Sequence, residues 1–327
     1  MRLRLVPQET NFDFFRFRTV TMGFSIVAMI ASIVLWLTVG LNFGIDFRGG
    51  TSIRTEAVQT VDVGAYRDAV AQLGLGDVDI IEVFDPNFSD DQNVTMIRIQ
   101  AQEGQESVTA DTLNAVETAL QGVDPSLTFT SVDSVGPKVS GELIQTAIIA
   151  VMAALGGILF YIWLRFEWQF SVGAVAALFH DVILTIGIFS LLQIRFDLAT
   201  IAALLTIVGY SINDTVVIFD RLRENLRKYK KKALQEVMNL SVNETLSRTL
   251  MTSGTTLLAL IALLVLGGDV IRGFVFAITW GVIIGTYSSV YVAKNVVLML
   301  GVKRDWSKPD AGGGPGGAGT QFSTSDA

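Results

Sequence analysis

Cysteine is absent from the 327 residues, which excludes disulfide staples and thiolate metal sites. A single histidine excludes a histidine cluster and most catalysis that turns on imidazole. Charge is scarce as well, at 17% of the chain, and neither a GxxxxGK[ST] phosphate loop nor a GxSxG nucleophile elbow occurs. No soluble enzyme is indicated, and no cofactor or metal is expected. What is plentiful is apolar side chain: 50% of the residues are hydrophobic and the mean hydropathy is +0.50, the composition of a membrane protein.

Six runs are long enough to cross a hydrocarbon core of roughly 30 Å, which takes about 20 helical residues. They lie near residues 19–41, 143–164, 170–192, 198–219, 249–266 and 273–298. Arg2, Arg4, Arg16 and Arg18 precede the first run. It exceeds a secretory core of about 7 to 15 residues and passes through Leu35, Trp36 and Leu37, so it reads as an uncleaved anchor. Basic residues in short connections set the orientation. The N-terminal arm has four, the connection RLRENLRKYKKK after the fourth span has seven, and the tail opens with Lys303 and Arg304. Six spans put all of these on one side, which is then cytoplasmic, and put QIRFD (193–197), GGDVIRG (267–273) and a long insertion outside. The insertion, residues 42–142, has 17 acidic and 5 basic side chains and carries −12, against +5 for the remainder. It offers nothing basic enough to bind nucleic acid.

The insertion reads as a small domain. TSIRTEA alternates like a strand, VDVGAYRDAVAQLG has helical spacing, and DIIEVF and NVTMIRIQAQ are strands separated by the turn-rich DPNFSDDQ. SVTADTLNAVETALQGV is a second helix and SLTFTSVDSV a last strand, an order βαββαβ that predicts a ferredoxin-like fold. Between the fourth and fifth spans, Leu222, Leu226, Tyr229, Ala233, Val237 and Leu240 recur at helical spacing with Lys and Arg opposite, which predicts an amphipathic helix. Three roles fit it: lying on the anionic leaflet, docking a partner, or linking two spans as a solvated basic helix.

Polar residues inside the spans ask for a reason. Asp214 lies seven residues before Arg221, which puts it about 10 Å inside the boundary, where a carboxylate costs about 2.5 to 3.5 kcal/mol. Thr206, Tyr210, Asn213, Val217 and Asp220 form a stripe that Asp214 borders, and this polar edge must face protein or water. SVNE (241–244) reads as a capping box that starts the fifth helix near Val242 and puts Arg248 in its second turn, beside a stripe of Thr245, Thr249, Thr252 and Thr256. An Asp214–Arg248 pair across antiparallel helices would favour the ionised acid while burial opposes it, the balance a proton carrier needs. A structural hydrogen bond for Asp214 and a snorkelling anchor for Arg248 are the competing readings. His180 and Asp181 share the centre of the third span. Being adjacent they point about 100° apart, so one can line a pathway while the other packs a neighbouring helix. Tyr161, Trp163, Phe166 and Trp168 read as an interfacial aromatic belt, and Gly281 and Gly285 as a small-residue contact face.

The stretches GLNFGIDFRGGT (40–51), VGPKVSGEL (135–143), HDVILTIGIFSLL (180–192) and GYSINDTVVIFDRLREN (209–225), in that order, resemble the SecF family, the smaller partners of SecD in the bacterial preprotein translocase. The resemblance covers all but the Gly-rich tail. It implies one six-span half of a resistance-nodulation-division machine, multi-pass in the inner membrane, which uses the proton-motive force to promote late steps of protein export. Its implied partners are SecD, the SecY/SecE/SecG channel, YajC, YidC, the unfolded preprotein and membrane lipids. The family's proton-transfer carboxylate maps onto Asp214 in NDT and its basic associate onto Arg248 in SRTLMTS. Asn213, His180, Asp181 and Asp220 are secondary members, for proton transfer or helix packing. The implied division is a cytoplasmic arm (1–18), a first transmembrane helix (19–41), a periplasmic α+β domain (42–142), a five-helix region (143–300) with the basic amphipathic segment 221–247, and a disordered cytoplasmic tail (301–327). A proton-coupled exporter of small solutes from the same superfamily is the alternative.

Overall fold

The apolar run that follows Arg16 and Phe17 becomes α1 (Arg18–Thr38) in the computed structural model, which describes residues 10–76, 78–83, 85, 88–89, 92–100 and 108–302. Arg2, Arg4, Lys303, Arg304 and the Gly-rich tail lie outside the described residues. After α1 come β1 (Asn42–Phe43) and the single turn α2 (Ile45–Arg48). The insertion then folds as β2 (Gly50–Ala57), α3 (Val63–Ala71), β3 (Val78–Val83), β4 (Asn93–Ile99), α4 (Ala110–Gln121) and β5 (Thr128–Val135). Asp62 starts α3 by accepting from Ala65 N at 3.0 Å, and Thr109 starts α4 by accepting from Thr112 N at 3.3 Å. The strands pair antiparallel in the order β3-β4-β2-β5, with β2 and β4 in register from Thr51↔Ile99 to Ala57↔Asn93. One face of this sheet presents Ile53, Ile97 and Ile99 to Tyr66 and Val70 of α3 and to Val116 and Leu120 of α4, a two-layer core.

The remaining helices are α5 (Pro137–Arg165), α6 (Trp168–Leu192), α7 (Leu198–Lys228), α8 (Leu234–Leu266) and α9 (Gly268–Ser288), which runs through a π turn (Ser289–Ala293) into α10 (Lys294–Leu300). Six segments are long and apolar enough to cross a membrane: α1, residues 138–165, α6, α7, α8 and residues 271–300. Among these α1, α5 and α8 expose most of their surface, while α6 and the last span are half buried. A short strand β6 (Arg195–Phe196) between α6 and α7 pairs in parallel with β1, Asn42↔Arg195 and Phe43↔Phe196, and ties the sheet domain to one end of the bundle.

Three expectations change. The segment 221–247 is not a helix of its own: α7 runs on to Lys228 and α8 begins at Leu234. Its apolar stripe, Leu222, Leu226 and Val237, is buried in the bundle's own core, so no leaflet or partner is needed to cover it. SVNE is not a capping box, because its polar atoms have found tertiary partners. Ser241 Oγ donates back to Val237 O at 2.7 Å and accepts from Asn225 Nδ2 at 3.0 Å, and Glu244 accepts from Arg221 Nε at 2.7 Å, so the helix begins further back, at Leu234. Phe166 does not join the belt of Tyr161, Trp163 and Trp168: it is buried against Phe170 and Phe219, whereas the other three are exposed.

Glycine spacing on α9 sets how closely it meets α7. A Cβ at Gly281 would stand 2.5 Å from Ile207 Cδ1 and 2.7 Å from Ile207 Cγ2, in a position where Ile207 is fully buried. Gly281→Val should therefore lower stability by about 1 to 3 kcal/mol through overpacking. Thermal unfolding in detergent reads this loss, and adding Ile207→Ala should recover part of it.

Candidate functional site

Two polar constellations lie inside the bundle. The first is built on α6. Asp181 is completely enclosed; its Oδ2 accepts from Ser211 Oγ of α7 at 2.5 Å and from Ser288 Oγ of α9 at 2.8 Å, and its Oδ1 lies 3.0 Å from His180 Nδ1. His180 is equally buried and stacks on Tyr287 at 5.9 Å, whose hydroxyl reaches α1 at Thr21 O (2.9 Å) and Ser25 Oγ (3.1 Å). One pair of adjacent residues thus joins four helices. Both members are enclosed and joined to each other, and both meet neighbouring helices. Next to this hub Thr215 Oγ1 and Ser289 Oγ are 2.8 Å apart, and Ser289 also donates to Ser211 O.

The second constellation lies between α7 and α8. These helices are antiparallel, and two hydrogen bonds set their register: Asn225 Nδ2 to Ser241 Oγ at 3.0 Å, and Tyr210 Oη to Ser253 Oγ at 3.3 Å. One turn along α7 from Tyr210 comes Asp214, and one turn back along α8 from Ser253 comes Thr249, so the two face each other. Both are buried, and among the described residues neither Asp214 Oδ2 nor Thr249 Oγ1 has a hydrogen-bond partner. In a low-dielectric interior an unpaired carboxylate oxygen is expensive. Arg248 is next to Thr249 in sequence, yet it is exposed and no ion pair of 4.0 Å or less joins it to Asp214 among the described residues. The close pair expected from sequence is therefore not formed. The other threonines of that stripe turn to their own helix: Thr245 donates to Ser241 O, Thr252 to Arg248 O and Thr256 to Thr252 O.

The outer face of the same helices is open. Thr206, Gly209, Asn213 and Asp220 are exposed along α7, as are Arg248 and Thr255 on α8, and nothing lies within 4 Å of a Cβ built at Gly209 or Gly254. Asp220 bonds Arg165 of α5 at 2.9 Å on the surface, where such pairs contribute about 1 kcal/mol at most. Of the six residues singled out by sequence, then, His180 and Asp181 share one buried hub. Asp214 lies one turn beyond Ser211 of that hub, Asn213 and Arg248 line the open face, and Asp220 stands apart.

Sequence reasoning missed Ser211 and Ser288, although serines one turn from an intramembrane acid or between aromatic residues are a usable sign of polar packing. It also missed Lys294. This lysine is fully buried; its Nζ donates to Phe14 O at 3.1 Å and lies 4.1 Å over the Phe15 ring and 5.2 Å from that of Tyr291. With Asn239 and Asn243 of α8, which bond Phe12 and Phe14, it straps the N-terminal arm across the bundle end.

The family described as "Protein export membrane protein SecD/SecF, C-terminal" matches residues 115–303, and the "SecD/SecF GG Motif" matches residues 34–61. The chain is 66% identical over 326 residues to a protein translocase subunit SecF of Cereibacter sphaeroides, covering 100% of this chain and 99% of that one. It is 64% identical over 315 residues to a subunit of the same name from Rhodobacter capsulatus, covering 94% and 95%. The crystal structure of SecDF, a translocon-associated membrane protein from Thermus thermophilus, is similar with a TM-score of 0.81 at 35% identity. That similarity covers 92% of this chain but only 40% of the longer SecDF chain.

Proposed function

This chain belongs to the SecF subunits of the SecD/SecF family of protein-export membrane proteins, and from that membership and the geometry around Asp214 we propose that it couples proton movement to late steps of protein export. The observation that carries the reading is the unpartnered Oδ2 of a carboxylate buried inside a membrane span. Asp214 takes and releases the proton. Arg248, on the same level of α8 and free to move, approaches the acid when it is ionised and withdraws when it is neutral. Asp181, held by three hydrogen bonds, is the packing hub that keeps α6, α7 and α9 in place around it.

A SecD-type second half covers the open face of α7 and α8. Lipid cannot satisfy Asn213, whereas a facing helix can. The preprotein, the SecY/SecE/SecG channel, YajC and YidC are further partners by family. The sheet domain, whose βαββαβ order and β3-β4-β2-β5 arrangement support a ferredoxin-like fold, lies on the periplasmic side of the inner membrane, and both termini are cytoplasmic. Support for this orientation comes from the basic connection of residues 227–232, which sits at the bundle end opposite the sheet domain, together with the strapped N-terminal arm.

Affinity purification of the full chain in mild detergent tests the reading. A SecD-type protein should co-purify, and Asn213→Leu should reduce its yield about threefold to eighteenfold, the range of an interhelical hydrogen bond worth about 0.6 to 1.7 kcal/mol. If that face met lipid, the leucine would be neutral or stabilising. No co-purifying SecD-type protein, or an unchanged yield from the variant, would sink the assignment.

A further inference from the structure

Where the sheet domain meets the bundle lies a cleft of about 60 Å³, lined by residues 42–45, Arg48 and Gly49 on one side and by Asp79 and residues 98–100 on the other. On the scale at which a water needs about 10 to 15 Å³, this is room for roughly four to six heavy atoms. Among the described residues the walls are rich in positive charge and short of acceptors. Arg98 is largely buried, and its Nε has no hydrogen-bond partner among those residues; the Nε of Arg195, just behind Gly44, has none there either. Arg48 is exposed at the rim.

The neighbouring carboxylates do not answer this demand. Asp79 lies 3.9 Å from Arg98 and is half exposed, and Asp197 lies 3.8 Å from Arg195, both beyond hydrogen-bonding distance. Asp197 is committed to the start of α7, where it accepts from Thr200 N and Thr200 Oγ1 at 2.9 Å, and Asp46 Oδ2 accepts from Leu198 N at 3.1 Å at the same helix start. Two guanidinium groups instead approach thioether sulfur, Arg98 at 3.9 Å and Arg195 at 3.7 Å from Met96 Sδ, a poor acceptor for a cation. Burial, and next the like charge of Arg195, push the Arg98 guanidinium below its ordinary range, with Arg48 acting in the same direction.

The place of the cleft selects the anion. One lining residue, Asn42, lies four residues past the end of α1 at Thr38 and donates to Gln193 O at 3.0 Å, just past the end of α6 at Leu192. Immediately on the membrane side, Trp36, Leu37 and Val39 of the first span and Leu191 and Leu192 of the third are all exposed. Apolar surface below and guanidinium groups above suit a molecule with acyl chains and an oxyanion, and the five heavy atoms of a phosphate group match the space. We propose that Arg48 and Arg98 hold the phosphate of an anionic phospholipid headgroup in this cleft, with its chains against the outer surface of α1 and α6.

The test is native mass spectrometry of the full-length chain in detergent, titrated separately with phosphatidylglycerol, with diacylglycerol of the same tails, with inorganic phosphate and with an acidic peptide. Phosphatidylglycerol should be retained and diacylglycerol should not. Arg48→Gln with Arg98→Gln should lower phosphatidylglycerol occupancy about tenfold, the effect of removing two charge-assisted contacts. Arg48→Gln alone, at an exposed side chain that the fold does not need, should lower it about threefold, and Arg67→Gln, elsewhere on the same domain, should leave it unchanged. Equal occupancy in the wild type and in Arg48→Gln would overturn the proposal. Binding of inorganic phosphate without lipid would assign the cleft to a free anion and overturn the lipid, and displacement of phosphatidylglycerol by the acidic peptide would assign it to a protein partner.

Discussion

Asp214→Asn should abolish the part of export that responds to the proton-motive force and leave the protein folded and associated with its partner. Asparagine keeps the shape of the side chain and removes its capacity to ionise. The unpartnered Oδ2 means that no protein hydrogen bond is broken by the change, so stability should stay within about 1 kcal/mol of the wild type. The functional loss is far larger. One proton crossing about 100 mV makes roughly 2.3 kcal/mol available, enough to bias a two-state element nearly fiftyfold, and the variant forfeits that bias. The measurement is export of a preprotein into inverted membrane vesicles with and without an imposed proton gradient. An Asp214→Asn variant that still responds to the gradient would remove Asp214 from the coupling step, whatever its effect on overall rate.

Asp181→Ala should instead act on stability, and severely. The alanine strands Ser211 Oγ and His180 Nδ1 in a site closed to water and leaves Ser288 Oγ only its bond to Gly285 O. Stranded polar groups cost about 1 to 3 kcal/mol each, while interhelical hydrogen bonds in membranes average about 0.6, so a total of about 2 to 4 kcal/mol is expected. Unfolding in detergent should show a large drop in midpoint, and the yield of folded protein should fall with it. Asp181→Asn separates packing from proton carriage. It keeps an acceptor oxygen, and the serine hydroxyls can turn to suit the new amide, so it should fold with less than half the loss and retain the response to the proton gradient. An Asp181→Asn variant that is stable but deaf to the gradient would move Asp181 into the proton path.

The contrast between these two acids marks where sequence ran out. Both were legible as carboxylates inside apolar runs, and the spans that hold them, the βαββαβ order of the insertion and the glycine contact face of α9 could all be read from periodicity and turn chemistry. Which acid is satisfied and which is not could not be read, because it depends on helix register. Asp181 meets hydroxyls from two other helices, whereas Asp214 Oδ2 finds no partner among the described residues. The same limit explains the errors at residues 241–244, where Asn225 and Arg221 from the facing helix claimed side chains whose local pattern suggested a helix start. Lys294 lay within an apolar run, and nothing nearby in sequence announced that residues 12–15 would cover it. Long-range pairing decides all of these, and a single sequence carries it only weakly.

The two-residue ribbon between Asn42–Phe43 and Arg195–Phe196 has a mechanical consequence. Arg195 and Phe196 form the hinge strip between α6 and α7, the two helices that carry the buried acids, and Gly44 N is hydrogen-bonded at 2.8 Å to Phe196 O, six residues before β2 begins at Gly50. A slip of α7 by one residue along its axis, about 1.5 Å, would be passed by this backbone clasp straight into the central strand of the sheet domain. The backbone bonds at Phe43 and Gly44 thus join the α6–α7 connection to the sheet domain as a pushrod joins a crank.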